Sequence, residues 1–470
     1  MSMTGNAPAG NAPGVRPGRL SAAEIDRNFS DLHPPLARSE ALIEADRCYF
    51  CYDAPCTTAC PTGIDIPGFI QKIRSGNIKG SAHTILRENI MGGMCARVCP
   101  TEVLCEEACV RNTHEDKPVR IGLLQRYATD PVLDNNVALF SRAAPSGRRV
   151  AVVGAGPAGL SCAHRLAVLG HDVVVFNRDP KPGGLNEYGI AAYKTVDDFA
   201  QREVEYILEI GSIEIANGVV FGRDTALADL REEFDAVFLS VGLAGSNELG
   251  IENEDAEGVL NAINYIRDLR QAADKSMLPV GRRVVVIGGG MTAIDVAVQS
   301  KLLGAETVDL VYRRGPDAMG ASGYEQALAQ TNGVTIRHWA KPARILADKR
   351  VHGVEFEQTA LDAGGNLVGT GAFRVLEADI VFKAVGQNLA FDLGADDVLL
   401  QRHKGKLIVD EERRTSLPGV WAGGDCVADG EDLTVTAVQH GKVAAISIDR
   451  YLREELSVDR QPHTRSAHHG

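Results

Sequence analysis

The stretch GRRVAVVGAGPAGLSCAHRLAVLGHDVVVFN, residues 147–177, has the pattern of a β-branched strand, a glycine turn, a helix with one apolar face and a second strand. Its glycines follow the pattern Gly154-x-Gly156-x-x-Gly159, directly after the strand and at the start of the helix. Such glycines allow a tight turn and a close approach to a pyrophosphate, which the N–H groups of the helix N-terminus bind. The stretch therefore predicts a dinucleotide-binding domain.

The same pattern begins again at residue 281, in GRRVVVIGGGMTAIDVAVQSKLLGAETVDLVYRR, with the glycine motif Gly288-x-Gly290-x-x-Ala293. Two strand–glycine–helix–strand units form an internal repeat, and they predict two Rossmann-like α/β domains with mainly parallel sheets. The segments DAVFLSVG (235–242) and DIVFKAVG (379–386) mark the two crossings between these domains. The second domain is therefore expected to be inserted in the first.

The ends of the second strands suggest what each unit binds. An acidic residue normally holds the ribose there, but the first unit has Asn177, a weaker acceptor. The second unit ends in Arg313 and Arg314, which either meet an adenosine phosphate or form a solvated loop. Near the C-terminus, a short strand runs into Gly423-Gly424-Asp425 and a helix follows Thr434. After two nucleotide folds, this arrangement predicts the flavin end of a two-dinucleotide reductase.

The resulting fold class is α/β, with two Rossmann-like domains behind a helical domain that holds eight of the ten cysteines. The predicted domains are a disordered tail at 1–30, a helical cysteine domain at 31–141, an FAD-binding domain at 142–250 and 387–470, and an NAD(P)-binding domain at 251–386.

Eight of the ten cysteines lie between residues 48 and 109. Disulfides are typical of small secreted domains rather than of one end of a large chain. Structural zinc sites favour paired C-x2-C knuckles, of which this region has one, and zinc has no redox chemistry to offer a flavoprotein. Two cysteines precede proline, as in ferredoxins, so two 4Fe–4S clusters are the favoured interpretation. The spacing is Cys48-x2-Cys51-x4-Cys56-x3-Cys60-Pro and Cys95-x3-Cys99-Pro-x4-Cys105-x3-Cys109.

Electrons from the flavin need an acceptor, and the predicted nucleotide domains contain no C-x-x-C or C-x4-C pair. The cysteine domain supplies that acceptor. The net charge of -13 argues against nucleic acid or an anionic membrane surface as a partner. The N-terminus is rich in Gly, Pro and Ala without an apolar signal core, and the apolar runs are too short to span a bilayer, so we expect a cytoplasmic protein.

The cysteine pattern and the order of the nucleotide motifs resemble the small subunit of glutamate synthase. They resemble even more the dihydropyrimidine dehydrogenase family, over roughly residues 40–450. In that family a glutamine within IG-x-LQ-x-(F/Y)AT completes one cluster, and IGLLQRYAT places Gln125 there. The residues alone would let eight cysteines fill both clusters. The resemblance implies instead one cluster on Cys48, Cys51, Cys56 and Cys109 and another on Cys60, Cys99, Cys105 and Gln125, with Cys95 as a non-ligand.

The resemblance also implies the nucleotide contacts. The NADPH-using animal form has a further basic residue where this chain has Gly320, which favours NADH while leaving NADPH possible. The residues implied around FAD are Ala155, Gly156, Pro157, Ala158, Asn177, Gly184, Leu185, Lys194, Val220, Asp425, Thr434 and Val435. Those implied around the nicotinamide nucleotide are Gly289, Gly290, Met291, Thr292, Arg313, Arg314, Ala384, Val385 and Gly386.

These features predict an electron-input subunit that oxidises NADH with FAD and feeds an FMN-containing, iron–sulfur TIM-barrel partner, which reduces uracil or thymine. A hetero-oligomer, as a heterotetramer, is expected. No acid–base residue is assigned, because hydride transfer between stacked rings needs none, and we expect no pyrimidine binding by this chain alone. The alternatives are the small subunit of glutamate synthase, an NADH:ferredoxin-type oxidoreductase, and a non-enzymatic scaffold with degenerate nucleotide sites.

Overall fold

The first glycine repeat forms a parallel sheet in the computed structural model, which describes residues 14–389 and 399–459. In these residues the sheet has the strand order β17-β4-β1-β2-β3. Its central strands are buried on both faces, as expected where helices cover both sides of a parallel sheet. The strands are β1 (Arg149–Val153), β2 (Asp172–Asn177), β3 (Ile213–Asn217), β4 (Ala236–Leu239) and β17 (Val420–Ala422). The helices are α9 (Pro157–Val168), α10 (Leu185–Tyr188), α11 (Phe199–Leu208), α12 (Leu227–Glu233) and α16 (Thr434–Asp459).

The second repeat forms another parallel sheet, whose described strands run in the order β6-β13-β7-β8-β9. Because β4 and β17 both belong to the first sheet, the second domain is inserted between them. The predicted fold class is confirmed. The strands are β6 (Val259–Asn261), β7 (Arg283–Gly288), β8 (Thr307–Val311), β9 (Val334–Arg337) and β13 (Ile380–Ala384). The helices are α13 (Ala262–Gln271), α14 (Met291–Leu302) and α15 (Gly323–Thr331).

Smaller sheets join and extend these domains. An antiparallel sheet of β10, β11 and β12, which the sequence did not predict, packs on the second domain. The two chain segments that connect the nucleotide domains run side by side, because their strands β5 and β14 form an antiparallel pair. These strands are β5 (Gly245–Ser246), β10 (Ala340–Ala347), β11 (Val351–Leu361), β12 (Leu367–Glu377), β14 (Gln387–Asn388), β15 (Arg402–His403) and β16 (Lys406–Leu407).

The cysteine region is helical, with its cysteines largely in turns and at helix ends. Helix α4 begins where Asp65 accepts a hydrogen bond from the Gly68 N–H at 2.9 Å, and its apolar face packs into the local core. The described helices that precede β1 are α1 (Ala22–Asn28), α2 (Arg38–Asp46), α3 (Pro55–Ala59), α4 (Ile66–Arg74), α5 (Ile78–Glu88), α6 (Gly92–Val98), α7 (Asn112–Glu115) and α8 (Ile121–Asp134). Among the described residues, no helix is both long and apolar enough to cross a membrane.

The predicted disordered tail at 1–30 is wrong for residues 14–30. Ser21 and Glu24 form a reciprocal capping box that starts α1. Ile25 and Phe29, one helical turn apart, are buried in the core of the inserted domain. The Gly- and Pro-rich composition of this region led to the prediction of disorder, although it contains this short amphipathic helix. Residues 1–13 of the predicted tail lie outside the described residues.

Candidate functional site

A cleft of about 2020 Å³, including its open mouth, lies between the two nucleotide domains. Residues far apart in sequence line it, from the first glycine loop to the start of α16. Most of the residues predicted to surround FAD meet here, together with the start of α14 from the inserted domain. The predicted residues that line the cleft are Ala155, Gly156, Pro157, Ala158, Asn177, Gly184, Leu185, Lys194, Val220, Asp425, Thr434, Met291 and Thr292.

The first glycine loop leaves room for a pyrophosphate. A Cβ at Gly159 would lie 1.9 Å from the Gly154 carbonyl oxygen, so this glycine is required for close helix–strand packing. At Gly156 the nearest atom to an added Cβ is the Cα of Gly184, at 3.8 Å. Gly156 and Gly184 thus face one another where α9 begins, and this fits the passage of a dinucleotide over a helix N-terminus.

Asn177, predicted to contact a ribose, has a specific orientation of its amide. Its Nδ2 donates to the Asp179 carbonyl at 2.8 Å, the Lys181 carbonyl at 3.1 Å and the Asn217 Oδ1 at 2.8 Å. These contacts use the donor end of the amide, so Oδ1 is the atom that would accept a ribose hydroxyl. The orientation fits the predicted contact, which stays a prediction.

The loop before α16 closes the opposite end of the cleft. The Gly424 N–H donates to His440 Nδ1 at 3.1 Å, and burial lowers the pKa of His440 to about 4, which keeps that nitrogen an acceptor. Burial, with Asp432 nearby, raises the pKa of Asp425 to about 6. Thr434 donates to Asn186 Oδ1 at 2.8 Å, while Val435 is buried behind it. The arrangement fits hydroxyl groups of a flavin side chain.

The second nucleotide motif lies at the carboxyl edge of the inserted sheet. Gly288 ends β7, and the predicted segments 384–386 and 313–314 follow its two neighbours, β13 and β8. An added Cβ at Gly290 meets nothing within 4 Å, so the loop is open at this point. Parallel strands place their ligands at this edge, where the strand order reverses. The sheet order thus brings the predicted nicotinamide-nucleotide residues together.

A buried ion cluster joins the two nucleotide domains at the cleft. Lys194 Nζ lies 2.8 Å from Asp295 Oδ1 and 2.8 Å from Glu325 Oε1. Burial opposes the charge on Lys194, but the two carboxylates outweigh it and raise the pKa. Tyr193 also hydrogen-bonds to Asp295, at 3.3 Å. Lys194, predicted as an FAD contact, is thus also held by the inserted domain.

The cysteines divide into two groups. Four of them line one small cavity with apolar walls, of about 380 Å³ including its open mouth: Cys48, Cys51, Cys56 and Cys109. Burial, with Cys48 and Cys109 nearby, raises the pKa of Cys56 to about 12, so the free thiol is protonated at neutral pH. Four thiols around one apolar cavity are a donor set that fits a 4Fe–4S cluster. This grouping matches the first predicted ligand set.

The second group contains Cys60, Cys99 and Cys105. A hydrogen bond with Cys95, then burial, raises the pKa of Cys99, with Cys105 and Cys60 also contributing. Gln125 is buried, and its Nε2 donates to the Gly92 carbonyl at 2.6 Å, which leaves Oε1 free to bind iron. Within residues 14–389 and 399–459, no three His, Cys, Asp or Glu side chains are arranged to hold a single metal ion. Whether Gln125 or Cys95 completes this cluster stays a prediction.

Some residues at the cleft were not predicted. Val98, Asp295 and Arg267 line it, from the cysteine domain and two helices of the inserted domain. Val98 is the last residue of α6 and directly precedes Cys99, so the C-terminal end of α6 lies at the cleft and next to the second cysteine group. The sequence could have predicted Asp295, because it lies one helical turn after Met291 and Thr292 on α14. Nothing in the local sequence indicates that Val98 lies at the cleft.

Two family models match the chain in the predicted order. Residues 25–137 match dihydropyrimidine dehydrogenase domain II, 4Fe-4S cluster. Residues 148–441 match pyridine nucleotide-disulphide oxidoreductase. The chain belongs to the pyridine nucleotide-disulphide oxidoreductase family.

Relatives of this oxidoreductase cover its whole architecture. An NAD-dependent dihydropyrimidine dehydrogenase subunit PreT homolog from Salmonella typhi is 35% identical over 92% of this chain and 99% of its own. The glutamate synthase [NADPH] small chain of Escherichia coli is 34% identical over 90% of this chain and 94% of its own. The predicted resemblance is confirmed. The chain is an NAD(P)H-dependent flavin and iron–sulfur oxidoreductase of the small-subunit type.

Solved structures support the fold of the oxidoreductase part. The thioredoxin reductase of T. acidophilum superposes with a TM-score of 0.52 at 22% identity, over 65% of this chain and 99% of its own. Mycobacterium tuberculosis FprA in complex with NADPH gives a TM-score of 0.54 at 18% identity, over 66% of this chain and 86% of its own. Both likenesses concern the fold.

Proposed function

We propose that this chain is the electron-input subunit of a dihydropyrimidine dehydrogenase. NADH and FAD bind in the cleft, two 4Fe–4S clusters occupy the cysteine groups, and an FMN-containing TIM-barrel partner reduces uracil or thymine. When bound, the flavin takes a hydride and the clusters carry single electrons. One observation carries the proposal: the cleft and the second cysteine group meet at the end of α6. Val98, the last residue of this helix, lines the cleft, and Cys99 follows it in the chain.

The chain's own residues bind, orient and separate the redox groups. The glycine loops and Asn177 hold one dinucleotide, and the carboxyl edge of the inserted sheet holds the other. The Lys194 ion cluster fixes the two domains at the cleft where the two reactive rings would meet. Apolar walls around Cys48 and its neighbours would tune the polarity of the surroundings of the first cluster.

Gln125 supports the pyrimidine assignment over the glutamate synthase small chain, in which a glutamate is expected at this position. The glutamate synthase assignment is the second candidate, since the E. coli small chain is equally similar at 34% identity. Both candidates share the flavin cleft and the cysteine domain and differ in the partner that accepts electrons.

The test compares the activity of the isolated chain with that of the chain together with the barrel subunit. The isolated chain should reduce ferricyanide with NADH and leave uracil and thymine unchanged. Adding the barrel subunit should create uracil-dependent NADH oxidation in a stable hetero-oligomer, measured by absorbance and by size-exclusion chromatography with light scattering. Uracil reduction by the chain alone, or coupling to a glutamine-splitting subunit instead, would contradict the proposal.

Gln125 gives this test a residue-level control. Gln125→Ala should perturb one cluster and suppress the coupled activity far more than the dye activity, because dyes take electrons directly from FAD. Gln71→Ala is the matched control, since Gln71 is an exposed glutamine on α4 of the same domain. Full coupled turnover in the Gln125 variant would exclude it as a cluster ligand.

A further inference from the structure

Helix α6 is held at its start by a carboxyl group from the flavin domain. Glu203 lies on α11, is 1% exposed, and accepts the N–H groups of Gly93 at 2.9 Å and Met94 at 3.0 Å through Oε1. The first N–H groups of a helix have no partner within the helix, so this contact satisfies two buried donors. Glu203 therefore fixes α6 to the flavin domain.

Contacts from both sides make α6 a bridge. At its start, Gln125 donates to the Gly92 carbonyl, and Asn186, on α10 of the flavin domain, donates to Met91 Sδ at 3.6 Å. At its end, Val98 lines the cleft and Cys99 belongs to the second cysteine group. Any movement of α6 along α11 would therefore change the separation between the flavin and that cluster.

We infer that Glu203 is a positioning residue for electron transfer from the flavin to the second cluster. The inference rests on the proposed function and deepens it. With the cofactors bound, the flavin would take one hydride, that is two electrons and one proton, from NADH. It would then pass one electron to each of the two clusters and release the proton to solvent. Tunnelling rates fall steeply with distance, so a fixed α6 sets the rate of this step while leaving hydride transfer to the flavin unaffected.

The protonation state of Glu203 suggests a conservative replacement. Burial raises the pKa of Glu203 to about 8, although the N–H groups of Met94 and Gly93 and the guanidinium of Arg97 lower it. The side chain is therefore mostly neutral at pH 7, and glutamine retains both its shape and its accepting oxygen. Arg97 is itself held by Asp130, through two contacts of 2.9 Å.

The experiment compares three variants of the full, cofactor-loaded chain. Glu203→Ala should slow NADH-driven cluster reduction several-fold, because a displaced α6 lengthens the path of the electron. Glu203→Gln should keep the rate of the unmodified chain, because its oxygen still accepts both N–H groups. Glu205→Ala, on the exposed face of α11, should change nothing. Flavin bleaching and freeze-quenched electron paramagnetic resonance separate the two steps.

A second readout does not depend on turnover. Amide hydrogen exchange in residues 91–99 should be about tenfold faster in Glu203→Ala and unchanged in Glu205→Ala, because two buried donors lose their acceptor. If Glu203→Ala does not fold, Glu203→Asp replaces it, since its shorter side chain withdraws the oxygen from Gly93 and Met94.

Unchanged cluster reduction in Glu203→Ala would overturn the inference, and so would equal slowing of flavin and cluster reduction. A glutamine variant as slow as alanine would also contradict it, because position would then not be the property that matters. Lack of iron, or of NADH-dependent flavin bleaching, in the unmodified chain would instead contradict the proposed function. The two failures are therefore distinguishable.

Discussion

Lys194 is a charged side chain that the fold buries between Asp295 and Glu325 of the other nucleotide domain. The buried charge of Lys194 is stabilised by its two anionic partners. Each buried carboxylate is in turn stabilised by the charge of Lys194. The same three residues lie at or beside the cleft. At the residue scale, one ion cluster therefore links the two nucleotide domains beside the cleft.

Replacing Lys194 with Met should lower the free energy of unfolding by about 3–5 kcal/mol, because it leaves two carboxylates buried without a cation. Guanidinium unfolding measures the loss. Lys181→Met is the control: Lys181 is 45% exposed and pairs with Glu187 at 3.4 Å, so its loss should cost less than about 1 kcal/mol. Equal effects of the two variants would show that the cluster does not link the domains.

Gly320 lies beside the open loop of the second motif. A Cβ added there would be 3.8 Å from the Gly290 Cα, which is an ordinary contact, so a larger side chain fits. The native chain should have a higher kcat/KM with NADH than with NADPH. Gly320→Arg should shift the ratio of the two kcat/KM values towards NADPH by about tenfold, since a hydrogen bond to a charged group contributes about 1.5–3 kcal/mol.

Steady-state kinetics with ferricyanide measures this preference. Gly323→Arg is the matched control, because it adds the same charge three residues away at an exposed position. A native preference for NADPH would contradict the prediction and would assign the 2′-phosphate to Arg313 and Arg314.

Helix α1 and the residues after it form an element that contacts all three domains. Ile25 and Phe29 lie in the inserted domain's core. Asp31 pairs with Arg126 of the cysteine domain at 2.7 Å, and the Leu32 N–H donates to the Tyr193 carbonyl of the flavin domain at 2.9 Å. At the scale of elements, this segment connects the inserted, cysteine and flavin domains through packing, an ion pair and a hydrogen bond.

Phe29→Ala should therefore destabilise the chain by about 3–5 kcal/mol, the usual cost of removing a buried phenylalanine side chain. The loss should appear first as unfolding of the inserted domain, followed by circular dichroism and by limited proteolysis. Arg27→Ala, on the exposed face of α1, should leave stability within about 0.5 kcal/mol. An unaffected Phe29 variant would mean that the segment is a dispensable tail after all.

At the scale of the whole molecule, the cleft and the cysteine domain are neighbours. The inserted domain and the flavin domain share the cleft, and the C-terminal end of α6 reaches it, with Cys99 of the second cysteine group as the next residue. The first cysteine group lines a cavity of its own. This adjacency is what the proposed electron relay requires.

The anaerobically purified chain should contain about eight iron atoms and eight acid-labile sulfides, the content of two 4Fe–4S clusters. Cys48→Ser should reduce both to about four, because it removes one ligand from one cluster. Cys162→Ala is the control, since Cys162 is buried in α9 of the flavin domain. Colorimetric iron and sulfide assays check these values, and stoichiometric zinc without sulfide would exclude the relay.

The sequence by itself determined the domain types and their order. The glycine motifs and the buried strands beside them are local signals, because the turn, the strand and the helix N-terminus lie within about thirty residues of one another. The cysteine spacing likewise indicated iron–sulfur chemistry, and the likeness of the two crossings indicated that one domain is inserted in the other.

Only the tertiary structure decided which residues meet across domains. Lys194 and Glu325 are 131 positions apart, and Glu203 and Gly93 are 110 apart, so no local pattern reveals either contact. The fold of residues 14–30 was also missed, because Ile25 and Phe29 form a stable turn only against the core of the inserted domain. Periodicity and turn chemistry act over short distances, whereas side-chain burial is settled by the packing of whole domains.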